Sequence, residues 1–144
     1  MQSAFLMPPL STSQKLDAHI RPQIRFDVEE LWAFALSSNL KLISADMLFR
    51  GHASACLIHP REIYRYALQK NAVQLALAHS HPSGDHEPSS EDLMLTQELY
   101  KAGNLLKIPL IDHLILSENG YFSMRDAGCF ARWERQPPRG SRTY

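Results

Sequence analysis

The segment His79-Ser80-His81-Pro82-Ser83-Gly84-Asp85-His86-Glu87-Pro88-Ser89-Ser90-Glu91-Asp92 concentrates the side chains of this chain that could do chemistry. Residues i and i+2 of a strand point to the same side, so His79 and His81 can present both imidazoles to one point. Ser89 has the chemistry of a helix N-cap, which places Asp92 at the third helical position. From Asp92, Leu95, Thr96 and Leu99 continue one mostly apolar helical face, so Asp92 is aimed inward, towards the strand the helix packs on. Two imidazoles and one carboxylate converging on a concave point are three ligands of a tetrahedral zinc, with the fourth position open for a water. A His-x-His alone is a common surface feature, and a Ser-x-x-Asp alone is a common capping box. Their combination, between a strand and a helix, is specific to a metal site.

The elements that must position these residues are legible on either side. Val73 to Ala78 is an apolar run that predicts a buried strand. Leu93 to Ala102 predicts a helix closed by Gly103. Upstream, Leu31 to Leu36 and Leu40 to Ala45, separated by Ser37-Ser38-Asn39, predict a β-hairpin, with a helix as the rival reading because Ala and Leu are frequent there. Met47 to Gly51 leads into an expected third strand at about residues 53–58. Pro60 suits the first position of a helix reaching Gln69, with Ile63, Tyr64, Ala67 and Leu68 on its apolar face. Ile108 to Leu116 predicts a strand, Glu118-Asn119-Gly120 a hairpin turn, and Tyr121 to Met124 the return. This mixed order predicts an α/β (α+β) domain, a sheet with helices packed on it and a single zinc site at a strand end. Residues 1–25, with Pro8, Pro9 and Pro22, read as a flexible leader. Residues 26–130 read as the domain. Residues 131–144, carrying Arg132, Arg135, Arg139 and Arg142, read as a flexible basic tail.

Composition bounds the function. The chain has 144 residues, 44% hydrophobic and 21% charged, which suits one globular domain. Fifteen Lys and Arg balance fifteen Asp and Glu, so the only basic signal for nucleic acid is that tail. No apolar run has the length of a membrane span, and the first ten residues lack the basic start of a signal peptide, so the cytoplasm is the expected compartment. Cys56 and Cys129 form no Cys-x-x-Cys pair and read as small, buried residues. The His-Glu-x-x-His helix of thermolysin-type proteases is absent, as is the His-x-Glu with Pro-Cys-x-x-Cys of zinc deaminases.

The segment resembles the JAMM (MPN-plus) metalloprotease motif, and its wider context is similar to the RadC-type branch of that family. The matching text is His59-Pro60-Arg61-Glu62-Ile63 with Ala67-Leu68, Ala78 to Gly84, Pro88-Ser89 and Asp92, then Leu110-Ile111-Asp112-His113 and Tyr121-Phe122-Ser123. The likeness covers roughly residues 27–128. One departure is Ser80, where the branch usually has Asn; other JAMM proteins carry Ser there. The resemblance implies a zinc-dependent peptidase or isopeptidase held by His79, His81 and Asp92, acting on a peptide or protein substrate. It also implies a glutamate base from an early strand. Glu29 and Glu30 are both placed for that, and the family pattern falls on Glu29. Strand alternation puts Glu29 with Leu31, Ala33 and Ala35, and Glu30 with Trp32, Phe34 and Leu36. Ser89, besides capping, is implied as a donor to an oxyanion. His86, Asp85 and Glu87 are expected in an exposed loop, and His59, Asp112 and His113 in framework hydrogen bonds. The alternative implied by the same branch is an accessory or binding module associated with DNA repair or mobile elements, without hydrolysis.

Overall fold

The computed structural model of the protein describes residues 7–51 and 58–136. In chain order the elements are α1 (Ser13–Ile20), β1 (Glu29–Leu36), β2 (Leu42–Gly51), α2 (Pro60–Gln69), β3 (Gln74–Ser80), α3 (Ser90–Leu106), β4 (Leu110–Ser117), β5 (Gly120–Ser123) and α4 (Cys129–Glu134). The strands form one mixed sheet in the order β2-β1-β3-β4-β5. β1 pairs antiparallel with both β2 and β3, β3 runs parallel to β4, and β5 returns antiparallel on β4. α3 is the crossover that a parallel β3–β4 pair requires.

The central strands are apolar on both faces because each face is covered. Leu31, Ala33, Ala35, Leu75, Leu77 and Ile115 pack with Ile63, Tyr64 and Ala67 of α2, Leu95 and Leu99 of α3 and Phe130 of α4. The alternate residues Phe34, Leu36, Ala76, Ala78, Leu114 and Leu116 pack with Leu16 and Ile20 of α1. The hairpin of β1 and β2 and the helix from Pro60 to Gln69 match the sequence expectation, except that Leu68 is exposed and Tyr66 joins Ile63, Tyr64 and Ala67 on the buried face.

Four expectations are corrected. The stretch read as a flexible leader contains α1, capped by Thr12, whose Leu16 and Ile20 are fully buried and joined by Leu10 and Ile24. Eight residues give too short a period to be recognised, and this helix is held by the sheet face rather than by propensity. Residues 131–136, read as tail, include the last turns of α4, where Trp133 lies against Tyr100 and Phe130. Met47 to Gly51 is not a connection but completes β2; the third strand expected at about residues 53–58 falls on residues 52–57, which, like 137–144, lie outside the described residues. Gly103 does not end α3, which continues to Leu106 and closes with Lys107 in the left-handed conformation. Gly103 is inside the helix because a Cβ there would lie 2.3 Å from the Tyr64 hydroxyl and 2.6 Å from the Ile108 carbonyl oxygen. Among the described residues, no helix is long and apolar enough to cross a membrane.

Candidate metal centre

The C-terminal end of β3, the central strand, and the first turn of α3 meet at one end of the strands, the position where parallel strands in open α/β sheets present ligand sites. β1 ends its pairing with β3 at Leu31 and His79, which places Glu29, at the start of β1, beside the two histidines. Ligand atoms of Glu29, His79 and His81 all lie within 4.8 Å of one another. Asp92 touches both imidazoles: its Oδ1 is 3.1 Å from His79 Nδ1 and its Oδ2 is 3.2 Å from His81 Nε2. Each imidazole thus meets a different Asp92 oxygen at hydrogen-bond distance, while the three ligand atoms that converge on one point are those of Glu29, His79 and His81. A borderline-soft cation with imidazole and carboxylate donors is the chemistry this set would accept.

Each group is oriented by its neighbours. The His81 backbone N–H donates to Leu116 O at 2.8 Å, extending the β3–β4 ladder by one residue. Gly84 turns the following loop at φ +80°. Asp85 O lies 3.3 Å from His81 Nδ1 and Asp92 Oδ2 lies 3.2 Å from Nε2, so an oxygen acceptor stands at each ring nitrogen; with Nδ1–H on Asp85 O, it is Nε2 that would turn its lone pair to a metal in place of its proton. Asp92 is 1% exposed and also shares a capping box with Ser89. The Ser89 N–H donates to Asp92 Oδ2 at 2.9 Å, and the Asp92 N–H donates to Ser89 Oγ at 3.1 Å. Ser89 is exposed at the mouth of the site, and because its oxygen accepts the Asp92 N–H, its own hydrogen can point outward.

The electrostatics suit metal exchange for a proton. Burial favours the neutral form of Asp92, but hydrogen bonding from His79 and His81 outweighs it and holds the carboxyl below the usual carboxylate range. The reciprocal bond to Asp92 raises the His81 pKa. Below Asp92, the Thr96 hydroxyl donates to Asp92 O at 2.5 Å and sits 2.7 Å from His113 Nδ1. The Thr96 hydrogen is thus committed, so His113 Nδ1–H donates to the Thr96 oxygen. Full burial pushes the His113 pKa down to about 3, keeping that imidazole neutral as a fixed support.

Glu29 and Glu30 are separated by alternation. Glu30 is fully buried on the α1 side, where its carboxylate accepts from Arg25 N–H at 2.8 Å, Trp32 Nε1–H at 3.2 Å and Arg50 Nε–H at 2.7 Å. Glu29 is half-buried and faces the histidines. His86 is half-buried rather than exposed: its Nδ1 is 3.0 Å from Ser117 Oγ and its ring packs at Gly120. Asp112 and His113 are buried in hydrogen bonds, Asp112 with Ser123 Oγ at 2.6 Å. Cys129 is buried and free.

Thr96 lies four residues after Asp92 on the same face of α3, but its bond to His113 depends on the fold. Ser80 and Glu30 carried a signal in alternation, which puts both on the face opposite the histidines.

A mixed five-stranded sheet between helices, with His-x-His ending its central strand and an aspartate opening the next helix, is the arrangement of a JAB/MPN-type domain. Residues 10–129 match the RadC-like JAB domain, and the chain belongs to that family. It is 39% identical over 112 residues to a UPF0758 protein of Listeria monocytogenes, covering 77% of this chain and 50% of that one. It is 37% identical over 119 residues to a UPF0758 protein of Thermotoga maritima, covering 83% and 54%. The chain therefore spans about half the length of these curated relatives.

Proposed function

We propose that this domain is a zinc-dependent hydrolase of peptide or isopeptide amides. The observation that carries the reading is the convergence of Glu29, His79 and His81 within 4.8 Å, with Asp92 in contact with both imidazoles. Zinc held by His79, His81 and Asp92 would supply Lewis acidity and an acidified water. Glu29 faces the histidines and, among the described residues, has no buried ion pair; it would take the proton of the attacking water and return it to the departing nitrogen. Ser89, exposed beside Asp92, would donate its hydroxyl hydrogen to the developing oxyanion. Asp92 carries the negative charge that holds both imidazoles, while Thr96 and His113 fix its backbone from below.

The deciding experiment is elemental mass spectrometry of the purified protein beside a His79→Ala/His81→Ala double variant, followed by a peptide and isopeptide screen. About one zinc per chain, lost in the variant, together with cleavage that Glu29→Gln abolishes, supports the reading. A protein that takes up no zinc after incubation with it refutes the reading and favours a binding module.

A further inference from the structure

We propose that Ser80, the residue between the two histidines, is a positioning residue that fixes Glu29 against them. The inference deepens the hydrolase reading, since it takes Glu29 as the base. The regular β1–β3 ladder stops at Leu31 and His79. Beyond that pair, the Ser80 side chain replaces the backbone as the link between the strands. Ser80 Oγ accepts the Glu30 N–H at 2.9 Å and donates to Val28 O at 3.1 Å. Both partners flank Glu29, so one hydroxyl holds the chain immediately before and immediately after the base.

The geometry makes the link specific. Ser80 is 0% exposed and its side chain lies on the Glu30 side of the sheet, while His79 and His81 project to the other side with Glu29. Holding the Glu30 amide also keeps the Glu30 carboxylate aligned with Arg25, Trp32 and Arg50. The histidines are placed independently of this hydroxyl. His79 is held by its ladder to Leu31 and Ile115, and His81 by Leu116 O and Asp85 O. Loss of the Ser80 hydroxyl therefore frees Glu29 relative to the ligand set without moving the ligands. The task needs a donor and an acceptor on one short side chain, which Ser and Thr supply and Ala does not.

The test compares wild type, Ser80→Ala, Ser80→Thr, Glu29→Gln and the Ser80→Ala/Glu29→Gln double variant, all zinc-loaded. Three quantities are read: amide hydrogen exchange at Glu30, zinc affinity by chelator competition, and kcat and KM on a cleaved peptide. Ser80→Ala should speed Glu30 exchange about tenfold, as loss of one buried hydrogen bond does. It should leave zinc affinity within about threefold of wild type and lower kcat by about 10- to 100-fold with KM unchanged, the scale of a misplaced catalytic group. Ser80→Thr should restore all three, and Ser80→Ala should cost nothing further in the Glu29→Gln background. Unchanged Glu30 exchange, losses that multiply in the double variant, or zinc affinity lost together with kcat would each overturn the inference. Absence of turnover in the wild type overturns the hydrolase reading alone. The link between the strands is then judged on amide exchange and zinc affinity.

Discussion

Glu29 and Glu30 are neighbours of identical chemistry, and exchanging each for glutamine should give opposite results. The Glu30 side chain is fully buried and its two oxygens serve three donors: Arg25 N–H and Trp32 Nε1–H on Oε1, and Arg50 Nε–H on Oε2. A glutamine keeps one acceptor oxygen and turns an NH2 towards a donor, either Arg50 or the Arg25–Trp32 pair. A hydrogen bond to a charged group contributes about 1.5–3 kcal/mol. Arg50 is 45% exposed and can regain water, which sets the loss near the middle of that range, about 2 kcal/mol. For a domain of this size that is roughly 8 °C in Tm. Glu29 is half-exposed and makes no buried ion pair among the described residues, so Glu29→Gln should stay within about 0.5 kcal/mol of wild type. It should nevertheless lower turnover by about 10²- to 10⁴-fold, the usual share of a general base. Urea or thermal unfolding of the three proteins, beside their activity well below Tm, makes the comparison. Glu30→Gln as stable as wild type, or Glu29→Gln losing as much stability as Glu30→Gln, would show that the two faces of β1 have been assigned the wrong way round.

Three further outcomes are expected. Zinc at about 100 times its dissociation constant should stabilise the protein by about 2.7 kcal/mol against denaturant, and Asp92→Asn should lose this gain because the ligand is neutralised while its capping oxygen is kept; an unchanged zinc response in the variant excludes Asp92 as a ligand. His113 binds no proton in the fold until pH falls to about 3, whereas in the unfolded chain it does so below about 6.5. Its stabilisation is thus present above pH 6.5 and lost as pH falls, by up to about 1.4 kcal/mol per pH unit; urea midpoints of metal-free protein from pH 7 to pH 4 should show that slope flattened in His113→Gln. Gly103→Ala, which gains about 1 kcal/mol of helix propensity, should still destabilise the protein by about 1–3 kcal/mol, since the new Cβ meets Tyr64 and the rigid Ile108 carbonyl; a raised Tm would refute the close approach.

The sequence alone determined the local parts of the site. The His79-Ser80-His81 alternation, the Ser89–Asp92 cap and the apolar runs around them depend on spacings of two to four residues, which strand and helix periodicity convert directly into geometry. The hairpin, α2 and the opposite facing of Glu29 and Glu30 follow from the same short-range rules. Tertiary structure decided what depends on partners distant in the chain. α1 is too short to announce itself and exists because Leu16 and Ile20 cover the sheet face of Phe34, Ala76 and Leu114. Gly103 looks like a helix stop, yet it is a contact point for Tyr64, thirty-nine positions earlier. Glu29 and His79 are fifty residues apart, and only the β1–β3 register brings them together, with Ser80 bonded to Val28 and Glu30 at its end. Periodicity states which face a side chain takes; only pairing and packing state what stands opposite it.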